Sequence, residues 1–103
     1  MLTNGLPPIP PCEFLQEIVD DLNLTQVALA KALDISPMRV SHLLKGSRPI
    51  TAEIALRLSR AFGQSSQYWL NLQTSYDLKM AQLEWQDKLV NVRHLTGELT
   101  YSF

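Results

Sequence analysis

At 103 residues the chain has room for one hydrophobic core and not for two, and its net charge of −1 gives it no bulk attraction to nucleic acid or to an acidic surface. Its single cysteine, Cys12, excludes an intramolecular disulfide and fits a reducing compartment. No apolar run approaches the length of a membrane span, and the start lacks a basic region followed by an apolar core, so a soluble cytoplasmic protein is expected.

The opening stretch, Asn4–Pro11, is rich in proline and turn residues and predicts an extended arm. Phe14, Leu15, Ile18, Val19 and Leu22 then recur at helical spacing, which predicts a first helix from about Cys12 to Asp21 with these five side chains facing inward. Thr25 reads as the cap of a second helix.

From Gln26 to Lys45 the sequence QVALAKALDISPMRVSHLLK predicts two short helices joined by a tight turn. Leu29, Ala30 and Leu33 share one side of the first of these helices, and Val40 and Leu43 share one side of the second. Ala30 is small where two crossing helices must approach closely, and Ile35 is the apolar plug of the corner. Ser36 reads as an N-cap, with Pro37 at the first helical position, where its missing N–H costs nothing. Gly46 stops the helix. Pro37, Met38, Arg39, Ser41, His42 and Lys45 are left on the outward faces. A short helix that buries one stripe and presents Arg, His, Ser and Lys on the other suits insertion into a DNA groove.

After a loop at Gly46–Ile50, Thr51 reads as the cap of a fourth helix, with Glu53 in the first turn where it complements the helix dipole. Ile54, Ala55, Leu58, Ala61 and Phe62 form its inward stripe, and Gly63 ends it. Ser65 or Ser66 opens a longer fifth helix carrying Trp69, Leu72, Tyr76, Met80 and Leu83. Core packing is the expected role of Trp69 and Tyr76, with part of the stripe available to a dimer interface. From Asn91 to Phe103 the helical period is lost around a Thr96-Gly97 break, and either a strand or a loose tail fits. The expected fold is all-α, with a five-helix DNA-binding domain over residues 1–88 and an extended or disordered tail over 89–103 that a dimer mate or another partner could order.

Charge is unevenly divided along this plan. Residues 1–24 hold four carboxylates and no Lys or Arg, whereas residues 25–62 hold Lys31, Arg39, Lys45, Arg48, Arg57 and Arg60 against Asp34 and Glu53. Positive charge is thus gathered on the segment expected to face phosphates. His42 and His94 are isolated from other metal-ligating residue types, and Asp20 and Asp21 are adjacent, so their side chains point about 100° apart on a helix. No metal, cofactor or catalytic group is expected, which sets aside an enzyme such as a nuclease.

The pair of helices resembles that of the lambda-repressor-like (XRE/Cro-type) regulators, and a wider pattern resembles the HigA-type antitoxins among them. Three pieces carry the narrower match: Pro11-Cys12-Glu13-Phe14-Leu15, Thr51 to Leu58, and Phe62 to Gln73 running into Tyr76-Asp77-Leu78. The last, with Trp69-Leu70 and Leu72-Gln73 before Tyr76-Asp77-Leu78, is the distinctive one. The match covers about residues 7–85. Asp34 and Cys12 stand where the family usually has glycine; Asp tolerates the left-handed conformation better than most residues.

That resemblance implies a dimer that represses its own operon and neutralises a HigB-type toxin, an mRNA endonuclease of the RelE group. Carried over by position, Gln26 would bond a phosphate or base edge, and Ser36 would touch phosphate while capping the recognition helix. Pro37, Met38, Arg39 and His42, with Ser41 beside them, would face the bases, and Lys45 and Arg48 would meet the backbone. By residue type, the Arg39 fork suits the two acceptors of a guanine edge. Two copies on a two-fold axis would place their recognition helices about 34 Å apart, on an inverted-repeat site. A stand-alone regulator without a toxin is the alternative.

Overall fold

A computed structural model describes residues 7–95 of the chain and contains five helices in them. They are α1 (Pro11–Asp21), α2 (Gln26–Leu33), α3 (Pro37–Lys45), α4 (Ala52–Phe62) and α5 (Ser66–Leu89). No strand occurs among the described residues. Of the expected N-terminal arm, residues 7–10 are described and non-helical. Of the expected tail, Asn91 and Val92 close a turn on Lys88 and Leu89, and residues 93–95 are non-helical. Pro11 of the arm already belongs to α1 and Leu89 of the tail to α5, and residues 4–6 and 96–103 lie outside the described residues.

Apart from the C-terminal end of α5, each helix boundary has a local chemical cause. The hydroxyls of Thr25, Ser36, Thr51 and Ser65 accept the N–H of Ala28, Arg39, Ile54 and Tyr68, satisfying donors that have no partner inside their own helices. The first helix has no such side chain; Pro11 occupies its first position, where a missing donor costs nothing, and Glu13 N–H bonds the Pro10 carbonyl at 3.1 Å. Left-handed residues end four helices: Asn23 after α1, Asp34 after α2, Gly46 after α3 and Gly63 after α4. At Asn23, Asp34 and Gly46 the following N–H reaches back five residues, from Leu24 to Val19, Ile35 to Ala30 and Ser47 to His42, which closes the helix and reverses the chain.

The reversals fold the apolar stripes onto one another. Leu15, Val19, Leu29, Ala30, Leu33, Val40, Leu43, Ile50, Ile54, Ala55, Leu58 and Trp69 form one buried cluster, with Phe14, Ile18, Ile35, Phe62 and Leu72 packed against it. Full burial of each large member contributes about 1.5–3 kcal/mol. Ala30 is buried where α2 approaches its neighbours, and Trp69 seals the base of the cluster from α5. Three expected core residues are outside it, Tyr76 among them, half-buried on α5 and not packed against the cluster. Leu22 sits at the end of α1 and is exposed, because the left-handed turn at Asn23 sends Leu24 inward instead. Ala61 is also exposed, on the solvent side of α4.

The fifth helix divides into two parts. Its first turns place Trp69, Leu70 and Leu72 on the core. Beyond Tyr76 it leaves the body, and Leu78, Met80, Leu83, Trp85 and Leu89 are exposed, including Met80 and Leu83 of the stripe expected to serve the core or a dimer interface. The reason is length: 24 residues of helix span about 36 Å, longer than the four-helix body can cover. No described helix is long and apolar enough to cross a membrane.

Candidate nucleic-acid interface

The helix-turn-helix is built by α2 and α3. Asp34 joins them at φ 56° and ψ 49°, in the left-handed region, so the turn tolerates a carboxylate where glycine is the easier residue. Ser36 Oγ accepts the Arg39 N–H at 3.1 Å and fixes the start of α3, with Pro37 preset for its first turn. Val40 and Leu43 anchor the helix from beneath. Gln26 opens α2 and is exposed.

Not every expected contact residue stands free. Ser36, Pro37, Met38, Lys45 and Arg48 are exposed, Met38 to 70%. Ser41 and His42, expected on the outward face, are half-buried. His42 also supplies a carbonyl to the N–H of Ser47 and to its hydroxyl, tying the end of α3 to the loop that carries Arg48.

Arg39 departs furthest from expectation. Its guanidinium is not open along its whole rim: Nη2 donates to Glu53 Oε1 at 2.7 Å and Nη1 to Oε2 at 3.3 Å, an end-on fork onto the first turn of α4. The same carboxylate accepts from Arg57 Nε at 3.0 Å. Arg57 in turn donates through Nη1 to the carbonyls of Leu33 (2.9 Å) and Asp34 (3.1 Å), the unpaired acceptors at the end of α2. One carboxylate thereby joins all three helices around the turn. The hydrogen bonds from Arg39 and then Arg57 hold the Glu53 carboxyl below its ordinary pKa, and the Glu53 bond holds the Arg39 guanidinium above its own. Two of the six cations in residues 25–62 are thus committed to an internal partner, which the bare charge count did not reveal.

Sequence reasoning assigned Glu53 only to the helix dipole. Half of its role was legible, since Glu53 and Arg57 are four residues apart on one helix face. The pairing with Arg39, fourteen residues away, depends on how α3 and α4 cross and leaves no local trace.

On the other side of α3, Cys12 is half-buried, and burial followed by the neighbouring Glu13 carboxylate pushes its thiol pKa up. A side chain at Gly46 would bring a Cβ to 3.0 Å from the Cys12 sulfur, and φ is +77° there, so both space and backbone favour glycine. Among the described residues no group of three or more His, Cys, Asp or Glu is placed to hold a metal ion.

The helix-turn-helix family profile matches residues 15–69, which span Leu15 to the buried Trp69. The chain is 50% identical over 86 residues to virulence-associated protein I of Dichelobacter nodosus, covering 82% of this chain and 77% of that protein. Its structure is similar to that of an addiction module antidote protein of a HigA family from Coxiella burnetii, with a TM-score of 0.84, 41% identity, and coverage of 87% of this chain and all of the other. It is also similar to the Pseudomonas aeruginosa antitoxin HigA, seen with the higBA promoter, at a TM-score of 0.82 and 34% identity over 86% of this chain and 99% of that one.

Proposed function

This chain belongs to the helix-turn-helix family, among its HigA-type antitoxins, and from that membership we propose that it acts in the cytoplasm as a homodimeric repressor of its own operon that also neutralises a HigB-type toxin. The observation that carries the reading is the likeness to HigA antitoxins over 87% and 86% of this chain, and not over the helix-turn-helix alone. It takes in the Trp69–Leu78 pattern on α5, which a generic repressor does not need.

DNA contact falls to the N-terminal half of α3 and the ends around it. Pro37 and Met38 give apolar contact, with thymine methyls as the matching feature, and Arg39 reads a base edge. Ser41 and His42 flank that contact with polar groups. Gln26 and Ser36 bond phosphate at the paired helix N-termini, where the dipoles favour an anion. Lys45 and Arg48 neutralise phosphate on the far side. One such module is a small footprint, and two related by a two-fold axis read half-sites about 10 bp apart.

The apolar side chains of α5 beyond the body support the partner half of the proposal. Leu78, Trp85 and Leu89 share one side of the projecting helix and Met80 and Leu83 the other, all exposed apolar side chains of the kind that meet protein.

The test is co-expression with the product of the gene adjacent to this one, followed by growth rescue, co-purification and titration with inverted-repeat DNA from upstream of the operon. Growth arrest by the neighbour, relieved by this chain, is the expected result. Sequence-specific binding without any rescue or co-purification favours the stand-alone regulator.

A further inference from the structure

The Arg39–Glu53 fork has a geometric consequence for base reading. A guanidinium carries five N–H donors, two of which Glu53 engages end-on through Nη1 and Nη2. The Nε–H donates to nothing among the described residues, and neither does the second proton of Nη2. Those two protons lie side by side on the remaining edge of the plane, in the parallel spacing that matches O6 and N7 of guanine. The plane itself is not free to swing. Glu53 is held from its other side by Arg57, and Arg57 is held by the carbonyls of Leu33 and Asp34 at the turn. The chain of bonds runs from the backbone of the turn to the guanidinium of Arg39, whose side chain as a whole is 37% exposed.

We propose that Glu53 is a specificity-determining residue: it fixes the Arg39 guanidinium edge-on so that its Nε–Nη2 side reads one guanine, with Arg57 as the strut behind it. The inference rests on the DNA-binding reading above. Glu53 touches no base itself and acts through Arg39. A carboxylate beside a phosphate-lined groove carries a repulsive cost, and the gain set against it is a guanidinium whose orientation is settled before DNA arrives. Without that orientation Arg39 has a long, flexible stem and turns to any nearby phosphate, giving affinity without discrimination.

A simple counter-charge role predicts the opposite behaviour. If Glu53 only competes with DNA for Arg39, removing its charge tightens binding to every sequence alike.

The test uses the full-length protein and duplexes that it selects from a randomised pool, followed by every single-base-pair substitution of the selected site. The variants are E53Q, E53D and R39A, each checked for folding by its thermal melt. Binding of E53Q to the best site is expected to weaken while binding to mismatched sites holds or rises, so that discrimination at one G·C pair falls by about tenfold, as in R39A. Discrimination at the other positions stays as in the wild type. E53D draws the carboxylate back by one methylene and is expected to show a smaller loss at the same pair, which decides the matter if E53Q does not fold. Uniformly tighter binding by E53Q with unchanged discrimination would overturn the inference while leaving DNA binding intact. Failure of the wild-type protein to select any sequence overturns the DNA-binding premise, and this inference with it.

Discussion

Gln73 on α5 accepts the backbone N–H of Ile50 at 2.7 Å, so the long C-terminal helix holds the loop that follows the recognition helix. Ile50 is buried, and its amide has no other partner in that loop. Gln73→Leu leaves this part-buried donor unpaired, at a cost of about 1–3 kcal/mol. Gln73→Glu keeps an acceptor in place but sets its carboxylate against Asp77, whose Oδ1 accepts from Gln73 Nε2 at 2.9 Å, and is expected to melt between Gln73→Leu and the wild type at neutral pH. Thermal melts of the two variants check this: equal melting temperatures would mean that the bond contributes nothing to the fold.

Leu43 anchors the recognition helix from beneath, buried to 3% exposure in the core cluster. Leu43→Ala removes its buried methyl groups and leaves a cavity, destabilising the fold by about 2–5 kcal/mol. The midpoint of chemical denaturation measures the loss. A variant as stable as the wild type would place α3 in a different register.

Local chemistry made much of this fold legible in the sequence. Thr25, Ser36, Thr51 and Ser65 cap helices through bonds to residues three positions on, and Gly46 and Gly63 stop them, so each signal lies inside the segment it controls. The exposed candidates Pro37, Met38 and Lys45 followed from helical periodicity, and Gln26 and Arg48 from the family resemblance. What the sequence did not disclose depends on packing between segments. The Arg39–Glu53 and Ile50–Gln73 bonds join residues fourteen and twenty-three positions apart. Leu22 carries the right period but lies one residue before a left-handed turn, and Met80 and Leu83 carry it where the helix has already left the core.

Asp34 occupies left-handed backbone that costs an L-residue roughly 1–2 kcal/mol and glycine almost nothing. Its side chain offers little in return: the Arg57 contact to its carboxylate is 4.0 Å long and fully exposed, while the stronger bond is to its backbone carbonyl, which glycine retains. Asp34→Gly is therefore expected to leave stability unchanged or to raise it by up to about 1 kcal/mol, after the greater entropy of glycine in the unfolded chain is offset. Asp34→Val combines β-branching with the same backbone and is expected to destabilise. A fall in the melting temperature for the glycine variant would show that the carboxylate matters to the turn.

The ion-pair network predicts a pH dependence with a definite sign. Bonds from Arg39 and Arg57 lower the Glu53 pKa in the folded state, so the unfolded chain binds its proton more readily. The stabilisation from Glu53 is therefore present above the ordinary glutamate value of about 4.3 and is lost as the pH falls through the depressed folded value. Glu53→Gln removes this contribution at every pH. Its melting temperature is expected to lie below that of the wild type at pH 7 and to converge with it as acid is added; a gap that persists undiminished to low pH would assign the difference to packing.

Lys45 ends α3 with its ammonium exposed and no carboxylate within ion-pairing distance among the described residues. It differs in this from Arg39, whose charge is shared with Glu53. A free cation at the rim of a groove binder neutralises one phosphate and releases the counterion held there, which carries no sequence information. Lys45→Ala is therefore expected to weaken binding to all duplexes by a similar factor and to reduce the slope of log affinity against log salt by about one. Fluorescence anisotropy across a salt series, on the selected site and on a scrambled duplex, separates this from base reading. A loss confined to the selected site would move Lys45 into the base-reading set and shift the docked position of α3 toward its C-terminal end.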